Sequence, residues 1–292
     1  MAIMSPMPFV PFGGPEVQAA ELNAARVIVL PIYYEVAPSF GAGSKEGAYH
    51  LLTASAELED IDEETGSDWQ RHGIHTLGPL EPPEQPEQAM AEIETAARPH
   101  LESGKFLLSM GGDHAVSIGL IRAAAKIHPD MGVLQVDAHL DLRDSWHGSR
   151  YNHACVMRRV ADDMCLVFAQ VGIRSLSSEE SDYIKKNNLK PFYAHGIDPI
   201  DLSWIDEVIE TLPPTVYITI DLDGLDPSVI PGTGTPVPGG LSYRQLVELI
   251  RRVGRSRRVV AVDINELAKI EGTVVSEFTA AKIASKILVH CL

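Results

Sequence analysis

The sequence predicts an α/β protein built on one doubly wound, mostly parallel sheet. Short apolar runs of strand length alternate with helix-length segments along the chain, and several of the runs stop abruptly at ionisable residues, as buried parallel strands do at their carboxyl edge. Neither an internal repeat nor a break in composition divides the 292 residues, so a single α/β domain is expected. A chain of this length buries most of the surface that its unfolded form exposes and needs no disulfide or structural metal to fold.

Residues 1–25 carry Pro and Gly without periodicity and are expected to form an arm over the surface or against a neighbouring subunit, ahead of a folded domain at 26–292. Arg26 to Tyr33 reads as the first buried strand. Pro38 to Ser44 is then a loop, either a structural turn or a substrate-lining segment, which feeds a helix running to about Ala56. Glu57 to Pro86 is acidic and Pro-rich and reads as an excursion before a helix at about Ala89 to Leu101. Lys105 to Met110 is a strand followed by Gly111-Gly112-Asp113-His114, where paired glycines permit backbone angles that a Cβ would resist, and then by a helix from about Ser117 to Ile127. His114 stands at that strand end as either a hydrogen-bonded structural residue or a ligand.

The most informative stretch is Val136-Asp137-Ala138-His139-Leu140-Asp141, which follows the apolar run Gly132 to Gln135. Two carboxylates and an imidazole are delivered at one strand end. A period-2 backbone places Asp137, His139 and Asp141 on one side and turns Leu140 away, a pattern that calls for a cation. A second acidic strand end follows Val216 to Ile220, where Asp221, Asp223 and Asp226 fall within six residues. Those charges repel one another at neutral pH unless cations, backbone donors or raised pKa values compensate. Asp226 precedes Pro227 and is expected to cap a turn. The Gly/Pro-rich loop Pro231 to Gly240 is expected to wall the site.

His147 and His153 lie on and just after the polar loop Arg143 to Asn152, away from any strand end, and are candidates for a mobile acid or base, with His153 preferred. Leu166 to Gly172, Glu179 to Lys186, Pro191 to Tyr193 and Trp204 to Thr211 read as scaffold strands and helices. Arg258 to Val262 is a strand running into Asp263-Ile264-Asn265-Glu266, and Glu277 to Val289 is the closing helix.

Composition narrows the function. A formal net charge of −16 disfavours nucleic acid and anionic membranes and favours a cationic substrate. No apolar window is long enough for a membrane helix, and the first residues lack a signal-peptide pattern, so a cytoplasmic protein is expected. Cys155, Cys165 and Cys291 are too scattered for a disulfide framework or a C-x-x-C zinc site.

Taken together, Gly111-Gly112-Asp113-His114, Asp137-Ala138-His139-Leu140-Asp141, Asp221-Leu222-Asp223-Gly224-Leu225-Asp226-Pro227 and Thr233-Gly234-Thr235-Pro236 resemble the ureohydrolase family of arginases and agmatinases, in order and spacing, over about residues 26 to 289. The resemblance implies a three-layer α/β/α domain on a mostly parallel, eight-stranded sheet, an assembly of identical subunits (trimer or hexamer), and hydrolysis of a guanidinium group to urea and an amine. It further implies two Mn²⁺ per subunit. One would be held by His114, Asp137, Asp141 and Asp221, the other by His139, Asp137, Asp221 and Asp223, with Asp137 and Asp221 bridging.

Four carboxylates match the charge of two divalent cations, and oxygen and imidazole ligands without thiolate suit manganese. Such a pair furnishes a nucleophile from water near neutral pH. By the same resemblance His153 delivers the proton to the leaving amine and Glu266 pairs with the guanidinium, while Thr235 and Arg143 are further candidates for the substrate-binding wall.

Arginases carry an asparagine two residues after the third ligand of the central motif, then a Thr/Ser/Gly-rich segment that holds the amino acid. Here Arg143 and Asp144-Ser145-Trp146 stand in those places, which disfavours arginine and points to agmatine, with Arg143 expected to pair outward with Asp144 or another loop acid. The rival substrate is a guanidino acid such as guanidinobutyrate. Outside catalysis, the rival is a metal-binding, degenerate family member, which the complete ligand set together with His153 and Glu266 argues against.

Overall fold

The computed structural model describes residues 7–292, so residues 1–6 of the expected arm lie outside the described residues. The strands are β1 (Val27–Pro31), β2 (Ile74–Thr76), β3 (Phe106–Met110), β4 (Gly132–Val136), β5 (Val167–Ile173), β6 (Phe192–Tyr193), β7 (Thr215–Asp221) and β8 (Arg258–Asn265). They form one eight-stranded sheet in the order β2-β1-β3-β8-β7-β4-β5-β6, and every pairing is parallel. The expectation of a mostly parallel sheet is thus met by one that is parallel throughout. The continuous apolar character of the central strands follows, because helices cover both faces.

On one face lie α1 (Gly47–Ser55), α6 (Trp204–Thr211), α7 (Tyr243–Ser256) and α8 (Val275–His290), with Leu51, Ile205, Leu246 and Ile283 in a shared core. On the other face lie α2 (Pro86–Glu102), α3 (Val116–Ile127), α4 (Val156–Asp162) and α5 (Ser178–Asn187), packed through Ile93, Ile121, Val160 and Ile184. The helix ends are set locally. Ser177 with Glu180 and Ser242 with Gln245 form capping boxes at the starts of α5 and α7, and Pro86 begins α2, where a missing N–H costs nothing.

Three expectations need correction. The segment from Glu57 to Pro86 contains the edge strand β2, which has only three residues, too few to show a period in the sequence. β8 does not stop at Val262 but runs through Asp263 to Asn265, both fully buried. Gly111 and Gly112 are not required for a left-handed backbone, since neither has a positive φ. They are required for space, because a Cβ at Gly111 would collide with Asn265 Oδ1 and one at Gly112 with the Tyr34 carbonyl. Within the arm, Phe12 is buried edge-on against Trp69, and its N–H donates to Thr76 Oγ1 at 3.0 Å.

The acidic excursion is pinned to α8 by Lys286. This fully buried ammonium lies 2.6 Å from buried Asp62 and 3.0 Å from Glu63. Burial raises the Asp62 pKa, but Lys286 and Thr65 outweigh it and hold the group down to about 2. Glu63 is held at about 2 by its own backbone N–H, Lys286 and Lys282. Both native values lie below the unfolded ones, so this stabilisation is complete above about pH 5 and is lost as pH falls toward 2. Lys286→Met leaves a buried carboxylate unpaired and is expected to cost about 3 kcal/mol. Thermal melting at pH 7 and pH 3.5 checks it: the variant should melt lower at pH 7 and lose less on acidification than wild type.

Candidate metal centre and cavity

The ligand candidates leave the carboxyl ends of β3, β4, β7 and β8, which are the adjacent strands at the centre of the sheet. His114 follows β3, Asp137 to Asp141 follow β4, Asp221 ends β7 with Asp223 beyond it, and Glu266 follows β8. In open α/β sheets this edge is where sites form, because the strands end together and their connecting loops splay apart.

Period-2 geometry alone does not produce the convergence. β4 ends at Val136, and Asp141 adopts a left-handed backbone with φ 52°, which aspartate tolerates better than most residues. That turn brings Asp141 back toward His114 while Leu140 points into the core. His114 Nδ1 lies 2.9 Å from Asp141 Oδ2, 3.2 Å from Asp137 Oδ2 and 3.4 Å from Asp221 Oδ2. His139 Nδ1 lies 3.1 Å from Asp223 Oδ2 and 3.4 Å from Asp137 Oδ1. Asp137 therefore turns one oxygen to each histidine. Asp221 differs: one oxygen faces His114, while the other accepts from the Asp223 N–H at 2.9 Å.

A cation fits this arrangement. His114 Nε2 is engaged with Thr219 Oγ1 at 2.8 Å, whereas its buried Nδ1 has no hydrogen-bond partner and faces three carboxylate oxygens. Among the described residues, His114 with Asp137 and Asp141, and Asp137 with His139 and Asp223, are groups compact enough to ligate an ion. The charges are mutually dependent without one. Burial and the Asp137 charge push Asp141 up to about 7, and burial with the Asp223 and Asp137 charges raises Asp221 well above the carboxylate range. Burial would lower His139, but its bonds to Asp137 and Asp223 carry it up to about 12.

Donors that the sequence did not reveal hold these carboxylates in place. Gln135 donates to Asp137 at 2.7 Å and accepts from Gln170 at 2.6 Å, and the Ala138 N–H donates to Asp223 at 3.0 Å. Asp263 accepts from Thr219 at 2.7 Å, beneath His114. Their only sequence signal is a polar residue inside an apolar strand. Asp226 caps a turn as expected, accepting from the N–H groups of Ser228 and Gly239.

Above the ligands opens a cavity of about 220 Å³, lined by Thr235, Glu266, His153 and Arg143 and by the early loop from Pro38 to Gly41. That loop is thus a cavity wall and not merely a turn. Thr235 Oγ1 donates to Asp223 Oδ2 at 3.0 Å. Glu266, at φ 66°, accepts from the His114 N–H at 2.7 Å, and burial with the Asp113 charge pushes its pKa up to about 8.

His153 faces the cavity with Nδ1 3.7 Å from Asp113. Burial alone would lower its pKa, but Asp113, Glu266 and Asp141 carry it up to about 9, which favours the protonated ring at neutral pH. His147 is exposed, packs edge-on against Trp146 and is not part of the cavity lining. Arg143 does not pair outward. Asp144 is taken by Arg159 at 2.9 Å, and the Arg143 guanidinium lies 4.0 Å over the Trp146 ring at the cavity wall.

A sequence model of the arginase family matches residues 25–290. The chain belongs to the arginase family. Over 272 residues it is 39% identical to the N(1)-aminopropylagmatine ureohydrolase of Synechocystis sp., covering 90% of this chain and 88% of that protein. It is 31% identical to the agmatinase of Bacillus subtilis, covering 92% and 91%. Among solved structures, the agmatine ureohydrolase of Thermoplasma volcanium superposes with a TM-score of 0.87 at 28% identity, covering 97% of this chain and 94% of that one. This arginase-family chain is a metal-dependent amidinohydrolase that acts on guanidino compounds. No helix among the described residues is long and apolar enough to cross a membrane.

Proposed function

We propose that the protein binds two Mn²⁺ and hydrolyses a cationic guanidino amine of the agmatine class to urea and the free amine. The charge of the cavity carries this reading. Two divalent cations would balance Asp137, Asp141, Asp221 and Asp223, yet Glu35, Asp113 and Glu180, with Glu266 beside them, also line the cavity, against the Arg143 guanidinium and the His153 imidazolium. A ligand cationic at both ends suits that surplus, whereas arginine would bring a carboxylate that costs several kcal/mol to desolvate unpaired. When bound, the metal pair supplies a nucleophile from water at neutral pH.

The chain's own residues do the remaining work. Glu266 pairs with the planar guanidinium fork, and Thr235 keeps Asp223 oriented. His153 delivers a proton to the departing amine nitrogen, without which a poor leaving group would stay attached. The 39% identity to N(1)-aminopropylagmatine ureohydrolases supports a tail longer than agmatine's own. At the cavity wall Phe40 is 89% exposed and Leu176 is 44% exposed, offering apolar surface for its methylenes. A homo-oligomer, trimer or hexamer, in the cytoplasm belongs to the same reading, and light scattering tests the assembly.

A second reading has a specific observation in its favour. Among the described residues Arg143 has no carboxylate within 4.0 Å, so it could receive the carboxylate of a guanidino acid such as 4-guanidinobutyrate. The deciding measurement is kcat/KM for N(1)-aminopropylagmatine, agmatine, 4-guanidinobutyrate and arginine on wild type and Arg143→Ala. The expected order places both amines first and arginine last, and the variant should gain on the amines by about three- to tenfold through loss of a like charge. Preference for guanidinobutyrate that Arg143→Ala abolishes would establish the guanidino-acid reading instead.

A further inference from the structure

Ser39 sits on the early loop with its Oγ 2.8 Å from His153 Nε2, and this is the only side-chain hydrogen bond of that hydroxyl among the described residues. The loop is held on both sides of Ser39. Glu35 Oε1 accepts from the N–H groups of Gly43 and Ser44 at 2.8 and 2.9 Å and from Ser44 Oγ at 3.0 Å, and the Gly41 N–H donates to the Gly234 carbonyl at 3.0 Å. Asp113 ties loop and ring together, accepting from the Val36 N–H at 3.3 Å through the carboxylate oxygen that lies 3.7 Å from His153 Nδ1. The imidazole is therefore clamped between Asp113 and Ser39, and both Ser39 and His153 line the cavity.

We propose that Ser39 is the outer member of a two-residue proton path, relaying the proton of His153 to the departing amine. The inference rests on the assignment of His153 as proton donor. With Nε2 engaged by Ser39, a proton leaving that nitrogen has the hydroxyl oxygen as its nearest acceptor. The proton passes from Nε2 to Oγ, and the hydroxyl's own proton passes to the leaving nitrogen. The scissile C–N bond breaks with its electron pair retained on that nitrogen, and His153 is left neutral, to be re-protonated from water at the cavity mouth. A loop residue 114 positions distant in sequence thereby joins the reaction.

The test uses the full-length, Mn²⁺-loaded protein and urea release from agmatine, with metal content measured for each variant. Ser39→Ala should lower kcat by about tenfold or more while KM and metal content stay within about twofold, and Ser39→Thr, which keeps the hydroxyl, should recover most of the loss. On a His153→Asn background Ser39→Ala should cost less than about twofold further, because a broken path cannot be broken twice. Wild-type kcat in Ser39→Ala, with His153→Asn impaired, overturns the relay and leaves His153 as donor. Wild-type kcat in His153→Asn overturns the donor assignment and the relay with it. Independent, multiplying losses also overturn the relay, since Ser39 would then act without His153.

Discussion

Asp137→Ala is expected to lower the metal content from about two ions per chain to one or fewer and to reduce urea release by about 10³-fold or more. Asp137 is the carboxylate whose two oxygens face different histidines, 3.2 Å from His114 and 3.4 Å from His139, so its removal opens both candidate sites together. Asp223→Ala opens only the His139 side, and its metal loss should be smaller. Chelation of wild type should abolish activity and Mn²⁺ should restore it, because the nucleophile in the proposed reaction is water activated by the metal pair. Elemental analysis alongside the urea assay decides the matter. Full turnover in metal-free protein, or two ions retained in Asp137→Ala, would remove Asp137 from the centre of the site.

His153→Asn should lower kcat by about 10²- to 10⁴-fold with metal content unchanged, the range expected when a positioned general acid is lost. The contrast with His147→Asn makes the test specific. His147 is exposed and is not part of the cavity lining, so its replacement should leave kcat within about twofold. Both histidines belong to one polar stretch, and composition cannot tell them apart. Only His153 has Asp113 behind it and the cavity before it. A large loss in His147→Asn, with His153→Asn near wild type, would reverse the assignment.

Residue order is enough to mark this as an α/β chain whose charged residues gather at strand ends. A parallel strand buried on both faces is largely apolar, and its ionisable residues gather near the end of the ladder, as after Val136 and at Asp221. The motifs built on those ends are local in the chain, so they could be read and matched to a family without coordinates. On the central stretch a period-2 backbone does not by itself bring Asp141 to His114, since that approach depends on the left-handed turn at Asp141.

The tertiary structure alone decided what rests on residues far apart in sequence. The contact of Gln170 with Gln135, the burial of Asp263 against Thr219 and Tyr217, and the contact of Ser39 with His153 are pairings between different strands and loops. No spacing rule encodes them. The edge strand β2 is illegible in the sequence because three residues hold no period, and Arg143 does not pair with the nearest acid in sequence because Asp144 is already taken by Arg159. A side chain's partner is set by which groups the fold brings within hydrogen-bonding reach, and adjacency along the chain is a poor guide to that.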